Sequence, residues 1–215
     1  MAYFKTFGER ALLPVGAAAA LVAASATAAF AHHPMDGQTP TTFTHGLLSG
    51  VGHPIIGIDH LAFVIAVGIA ARLAGRPLLL PLLFVAATIG GTLMRVGAVG
   101  LPFVEVAIAG SLAAIGAMIL SGRSFGTAPY AALFAVAGMF HGHAYGEAVF
   151  GAEATPIMAY LSGFGATQFA IAIASGWLIA RSATAPLAPR LAGAMIAGAG
   201  ALLVSEHALT AVGLA

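Results

Sequence analysis

The sequence contains no cysteine and little charge, and each absence excludes a class of protein. Without cysteine the chain of 215 residues forms no disulfide and offers no thiolate to a metal ion. Only 7% of its residues are charged, whereas soluble chains carry about 25%. So few polar groups cannot cover a globule in water, which excludes an ordinary soluble domain.

Positive charge is also sparse, which argues against a nucleic-acid partner. The formal net charge is +1, and the eight Lys and Arg residues are scattered singly, so the chain has no basic patch for a phosphate backbone. Hydrophobic residues, in contrast, make up 60% of the chain, and the mean hydropathy is +1.00. This composition indicates a lipid environment and predicts an all-α fold, a polytopic transmembrane helix bundle.

The N-terminal residues have the pattern of a secretory signal peptide. Lys5 and Arg10 precede an apolar run that ends in Ala29-Phe30-Ala31, an A-x-A cleavage pattern. We therefore predict a signal peptide over 1–31 and a transmembrane domain over 32–215. An uncleaved first transmembrane helix is the alternative interpretation.

Six apolar segments follow, each long enough to cross a bilayer, because a spanning helix needs about 20 residues for a thickness of about 30 Å. The stretches between them contain Gly or Pro, which end helices or begin the next one. The six predicted helices cover 54–72, 77–97, 102–121, 128–150, 156–180 and 190–212.

The arginines predict how the bundle is oriented. If the signal peptide is cleaved, the mature N-terminus is outside, and the loops after the first, third and fifth predicted helices are cytoplasmic. Arg95 alone falls on the outer side, whereas the predicted inner side carries Arg72, Arg76, Arg123, Arg181 and Arg190. Cytoplasmic loops are enriched in Lys and Arg, so this distribution predicts a bacterial inner-membrane protein with a periplasmic N-terminus.

The stretch "HPIIGIDH" puts three titratable groups at the start of the first predicted helix. Charged groups at a helix centre in hydrocarbon cost about 2.5–3.5 kcal/mol each on insertion scales, so they are rare without a function. Pro54 suits the first turn of a helix, with His53 at its cap. Two helical turns separate His53 from His60, and Asp59 is either a ligand or the acceptor that fixes an imidazole tautomer. The structural alternative is a capping histidine and an Asp59 carboxylate paired with Arg95.

The stretch "FHGHAYGE" supplies a second cluster in the fourth predicted helix. His141 and Tyr145 share one helix face, and His143 and Glu147 share another. We expect one pair to line a site and the other to meet a neighbouring helix or the outer rim. The two glycines of this stretch form a G-x-x-x-G step, which predicts close helix packing.

Imidazole and carboxylate groups without sulfur suit Ni²⁺, Co²⁺ or Zn²⁺ better than Cu(I) or Ca²⁺. The sequence therefore predicts a metal site in the membrane. Its candidate residues are His53, Asp59, His60, His141, His143 and Glu147.

Both motifs resemble the HupE/UreJ family, predicted nickel or cobalt permeases. The resemblance covers most of the chain after the signal peptide and is carried by "GHPIIGIDHLAFVIAVG" and "FHGHAYGEAVFGAE". Many members read F-H-G-x-A-H-G-x-E in the second motif. Here Tyr145 and Ala148 stand at the second His and the Glu positions, with His143 and Glu147 as the nearest replacements.

The resemblance implies a function in transport. It implies an inner-membrane permease that imports Ni²⁺ or Co²⁺, with Zn²⁺ as a further candidate, and not an enzyme. The ion and the lipid bilayer are the expected partners, and no permanently bound cofactor is expected. Whether copies of the chain assemble into a homo-oligomer is left open.

Two other functions compete with this interpretation. The first is a metal-dependent intramembrane hydrolase, in which Zn²⁺ activates a water molecule, although the sequence has no G-x-S-x-G or H-E-x-x-H motif. The second is a b-type haem protein with His53 or His60 and His141 as axial ligands, which would give a red membrane extract. No comparable set of ligands falls in the predicted inner half, so the sequence does not reveal a cytoplasmic exit path.

Overall fold

The computed structural model describes residues 38–181 and 187–213, which form helices and connecting turns with no β-strand. The predicted all-α bundle is therefore confirmed. The predicted signal peptide at 1–31, with the adjacent His32 and His33, lies outside the described residues. The helices are α1 (Phe43–Ile56), α2 (Ile58–Leu73), α3 (Leu79–Val96), α4 (Val104–Ser121), α5 (Thr127–Gly146), α6 (Ala154–Arg181) and α7 (Leu187–Ala211), with a 3₁₀ turn at Glu147–Val149.

The predicted start of the first helix is wrong. His53 and Pro54 lie in the last turn of α1, not at the cap and first turn of a new helix. Pro54 has no N–H to donate to the Gly50 carbonyl, which weakens this turn, and the helix ends soon afterwards. At Gly57 the backbone is extended, with φ −75° and ψ 104°, and the chain bends by 80° into α2.

Helices α1 and α2 follow α6 in the same direction, so together they form one broken span. A Cβ atom at Gly50 would collide with the Tyr160 carbonyl, and one at Gly68 would collide with the Ala172 carbonyl. Residues further along α1 and α2 thus contact residues further along α6. His53 lies ten residues after the start of α1, or roughly 15 Å along the helix at 1.5 Å per residue. The histidine motif is therefore inside the bundle and not at its entrance.

Helix α5 packs closely along α3, and the glycines of the second motif form the contact. A Cβ atom at Gly142 would collide with the Thr88 carbonyl, and one at Gly146 would lie 2.6 Å from the Arg95 Cβ atom. The predicted packing role of the G-x-x-x-G step is confirmed. Helices α4 and α7 meet through glycines in the same way.

Most of the helices are apolar and long enough to cross a membrane. This holds for α3, α4, α6 and α7 singly, and for α1 and α2 as a bent pair. Helix α5 does not meet the same criterion, because His141 and His143 lie near its end. It packs against α3 in the interior, where its side chains face other helices more than lipid. The six predicted segments correspond to α2–α7, and α1 is the addition.

Candidate metal site

Three histidines from three helices meet inside the bundle: His53 of α1, His60 of α2 and His141 of α5. The ring centroids of His53 and His60 are 6.4 Å apart, and those of His60 and His141 are 5.1 Å apart. All three side chains are buried, His141 completely. Three of the predicted site residues are therefore neighbours, even though the chain bends sharply between the first two.

Asp59 adds a carboxylate beside these rings. Its Oδ2 atom lies 3.6 Å from Nδ1 of His60. It belongs to the first turn of α2, where the helix dipole favours negative charge. Arg95 is bound elsewhere, because it donates two hydrogen bonds to the Glu147 carboxylate at 2.6 and 2.8 Å. The structural alternative that paired Asp59 with Arg95 is wrong.

A serine orients the ring of His141. The Ser111 hydroxyl donates its proton to the Ile108 carbonyl at 2.8 Å, and its oxygen lies 3.1 Å from Nε2 of His141. With the hydroxyl proton directed to this carbonyl, Nε2 of His141 is the donor in its contact with Ser111. The lone pair of the imidazole is then on Nδ1, a buried atom with no hydrogen-bond partner among the described residues. His141 thus has the tautomer of a metal ligand that is held by its second nitrogen.

A tyrosine orients His53 by the same logic. The Tyr160 hydroxyl donates to the Tyr145 carbonyl at 3.0 Å and lies 2.8 Å from Nδ1 of His53. With the hydroxyl proton directed to this carbonyl, Nδ1 carries a proton and the lone pair of His53 is on Nε2. Both the histidine and the tyrosine are buried, so this arrangement is shielded from competing water.

The ring of Tyr145 fills the space between two of the histidines. Its centroid is 4.8 Å from that of His53 and 4.4 Å from that of His60. Its hydroxyl is buried and has no hydrogen-bond partner within the described part of the chain. In this arrangement no three His, Asp or Glu side chains of the described residues are close enough together to hold one metal ion.

The other polar pair of α5, His143 and Glu147, faces a different side of the helix from His141, as the helix geometry predicted. Nε2 of His143 lies 3.1 Å from the Val99 carbonyl oxygen and 3.3 Å from the Leu101 nitrogen, so the ring contacts the loop between α3 and α4. Glu147 pairs with Arg95, whose guanidinium also lies 3.9 Å from the centroid of the Phe150 ring.

A pocket of about 490 Å³ leads from the surface to this region, and we call it the histidine pocket. Three carboxylates line it, a concentration of negative charge that attracts cations. Arg95 already neutralises one of them, Glu147. The polar and charged side chains along its wall are those of His53, Asp59, His60, Glu105, His143 and Glu147.

On the opposite side of the histidines, the interior is closed by aromatic rings. The centroid of Phe63 is 4.4 Å from that of His141 and 5.3 Å from that of Phe84. Phe134 lies 6.3 Å from Phe63 and 6.2 Å from Phe84. These three buried phenylalanines, which we call the aromatic plug, come from three different helices. Their contact could not be predicted from the sequence, because residue spacing does not relate the three helices.

Comparison with known proteins agrees with the motifs. Residues 19–203, which include both histidine motifs, match the family described as HupE / UreJ protein. The chain belongs to the HupE/UreJ family. Protein HupE of Rhizobium leguminosarum bv. viciae is 33% identical over 164 residues, which are 74% of this chain and 84% of that protein. No solved structure matches the chain.

The predicted family membership is thus confirmed for this HupE/UreJ protein. Together with the apolar helices, membership identifies a membrane protein of a transporter-type family associated with nickel and cobalt.

Proposed function

We propose that this protein is an inner-membrane permease that imports nickel or cobalt ions through the histidine pocket. The observation that carries the proposal is the orientation of His53 and His141. Each ring is tied through one nitrogen to a hydroxyl whose proton is used elsewhere, so the other nitrogen has a lone pair. Histidines that bind metals are usually held in this way, by a hydrogen bond from the nitrogen that does not bind.

The proposed ligand set is His53, Asp59, His60 and His141. Imidazole nitrogens with one carboxylate and no sulfur suit Ni²⁺ and Co²⁺, and Zn²⁺ is a further candidate. A carrier must release its ion, which favours two or three ligands at a time over a closed tetrahedral site. The intervening Tyr145 ring fits this requirement, because side-chain rotation has to accompany binding.

The break between α1 and α2 supports a binding role for this region. Discontinuous helices in transporters commonly form the substrate site, because the ends of the half-helices leave backbone carbonyls and dipoles that face the ion. The break at Gly57 lies between His53 and His60, so the C-terminal end of α1 is next to the proposed ligands.

His143 and Glu147 remain part of the proposed metal pathway, with a role at the mouth of the pocket. Glu105 supplies negative charge there, Glu147 pairs with Arg95, and His143 holds the loop before α4. The distribution of arginines supports a periplasmic mouth, which makes import the proposed direction.

The geometry does not favour the competing functions. Tyr145 fills the space between His53 and His60, and a centroid distance of 5.1 Å between the rings of His60 and His141 leaves no width for a haem macrocycle. For a hydrolase, Ser111 is a serine in contact with a histidine. Its proton is directed to the Ile108 carbonyl and not to His141, so it is not arranged as an activated nucleophile.

Accumulation of Ni²⁺, Co²⁺ and Zn²⁺ in cells that lack their own importers tests the proposal. Expression of the protein is expected to raise the cellular content of nickel or cobalt, measured by elemental analysis after washing. Unchanged contents of all three metals would contradict metal transport. A decreased content would contradict import and indicate export.

Replacing Tyr160 by phenylalanine is expected to raise the KM for metal uptake by about 10–100-fold, the usual effect of losing the partner that orients a metal-binding histidine. The substitution removes the acceptor for Nδ1 of His53 and leaves the ring packing intact. The matched control is Tyr130→Phe, which removes a hydroxyl from another buried tyrosine, away from the histidines. Equal KM values for the two variants would refute the orienting role of Tyr160.

A further inference from the structure

A second cavity lies at the opposite end of the bundle, between the C-terminal ends of α2 and α6 and the start of α3. Its volume is about 390 Å³. Arg72 and Arg181 line it together with Trp177, and the guanidinium of Arg181 lies 4.1 Å from the centroid of that indole ring. Two arginines and a tryptophan therefore border one concave site that the proposed transport path does not use.

Within residues 38–181 and 187–213, no carboxylate neutralises the charge at this cavity. In the described residues, neither Arg72 nor Arg181 forms an ion pair with a carboxylate. None of the described acidic residues lines this cavity, whereas Asp59, Glu105 and Glu147 line the histidine pocket. A guanidinium at a membrane boundary without a carboxylate partner is well suited to a phosphate group, which it can bind through two parallel hydrogen bonds.

The remaining wall of the cavity is apolar and narrow. Gly68 and Gly176 allow α2 and α6 to approach closely, and Ala172 lies between them on the same wall. Tryptophan rings prefer the boundary between lipid headgroups and hydrocarbon. The cavity thus joins a cationic edge to an apolar wall at the depth where a phospholipid changes from headgroup to acyl chain.

We propose that this cavity binds an anionic phospholipid, with its phosphate between Arg72 and Arg181 and an acyl chain against the glycine and alanine wall. Basic pockets between membrane helices are known to recognise anionic headgroups in this way. The site lies at the far end of α2 from His60, so lipid binding is a property separate from transport.

Thermal unfolding of the purified protein in detergent, with and without added phosphatidylglycerol, tests the proposal without any transport assay. The lipid is expected to raise the unfolding midpoint of the unmodified protein by about 5 °C, because a ligand that binds only the folded state stabilises it. Phosphatidylcholine at the same concentration is expected to have a much smaller effect. Glycerol phosphate, which has the phosphate but no acyl chain, is expected to have none.

Substitutions of the two arginines test whether they form the lipid site. The shift is expected to disappear in the double variant Arg72→Gln, Arg181→Gln, and to persist in Arg123→Gln, which removes an exposed arginine at the same end outside the cavity. The double variant Arg72→Lys, Arg181→Lys keeps the charge and is expected to bind fewer lipid molecules in native mass spectrometry. A full shift in either double variant would overturn the proposal. An equal shift from glycerol phosphate would show that the site binds a free anion and not a lipid. An equal shift from phosphatidylcholine would show that the arginines do not select an anionic headgroup.

Discussion

Replacing His60 by alanine is expected to reduce metal uptake to the level of cells without the protein. His60 is the histidine that contacts both others, with ring centroids 6.4 Å from His53 and 5.1 Å from His141. Its removal separates the remaining nitrogens and leaves Asp59 without its neighbouring imidazole. Uptake is measured together with the amount of protein in the membrane, so that a loss of transport is distinguished from a loss of protein.

His207→Ala is the control for this prediction. His207 is a half-buried histidine of α7 that does not line the histidine pocket, so its replacement is expected to reduce uptake only partly. Normal uptake by the His60→Ala variant at normal abundance would contradict the proposed site. The same result in the Asp59→Ala variant would remove the carboxylate from the ligand set.

Replacing Gly142 by alanine is expected to destabilise the protein by about 1–3 kcal/mol, the usual cost of adding a methyl group to a well-packed interior. The new Cβ atom would collide with the Thr88 carbonyl, which belongs to the backbone of α3 and cannot rotate away. The Gly142 carbonyl would also shift from the Thr92 hydroxyl, which donates to it at 2.9 Å. The unfolding midpoint in detergent measures the effect.

Gly110→Ala provides a control with the same chemistry. Gly110 lies within α4, and no atom of another described helix is within 4 Å of where its Cβ would be. Alanine is the better helix former, so this variant is expected to be as stable as the unmodified protein or more stable by about 0.5–1 kcal/mol. If both variants unfolded at the same temperature, the close contact of α3 and α5 would not limit stability.

The sequence was sufficient to predict helices α2–α7, because each is a long apolar run between Gly or Pro signals. It was not sufficient for α1, whose 14 residues include several glycines and two histidines and are too short to span a bilayer alone. Pro54 misled the prediction for a physical reason. Proline fits the first turn of a helix, but it also occurs where a helix is about to end, and only the position of the preceding helix separates the two cases.

For the candidate site, residue spacing within one helix predicted which side chains share a face. Contacts between different helices could not be predicted from the sequence. The helical period predicted that His141 and His143 face different sides, and the structure agrees. The hydroxyls that orient the rings, from Ser111 and Tyr160, lie on other helices and have no sequence motif of their own. Such residues are found only when the packing of the helices is known.

The aromatic plug has a consequence for the energetics of the membrane. If the ion moves inward, a divalent cation gains about 4.6 kcal/mol from a potential of 100 mV, since each elementary charge contributes about 2.3 kcal/mol. This energy corresponds to an accumulation of about 10³-fold at equilibrium, and the same potential drives protons and sodium through any continuous water path. Because the buried rings of Phe63, Phe84 and Phe134 pack against one another beside His141, we expect no such path there. If metal is imported as proposed, we therefore expect cells that make this protein to keep their membrane electrically tight.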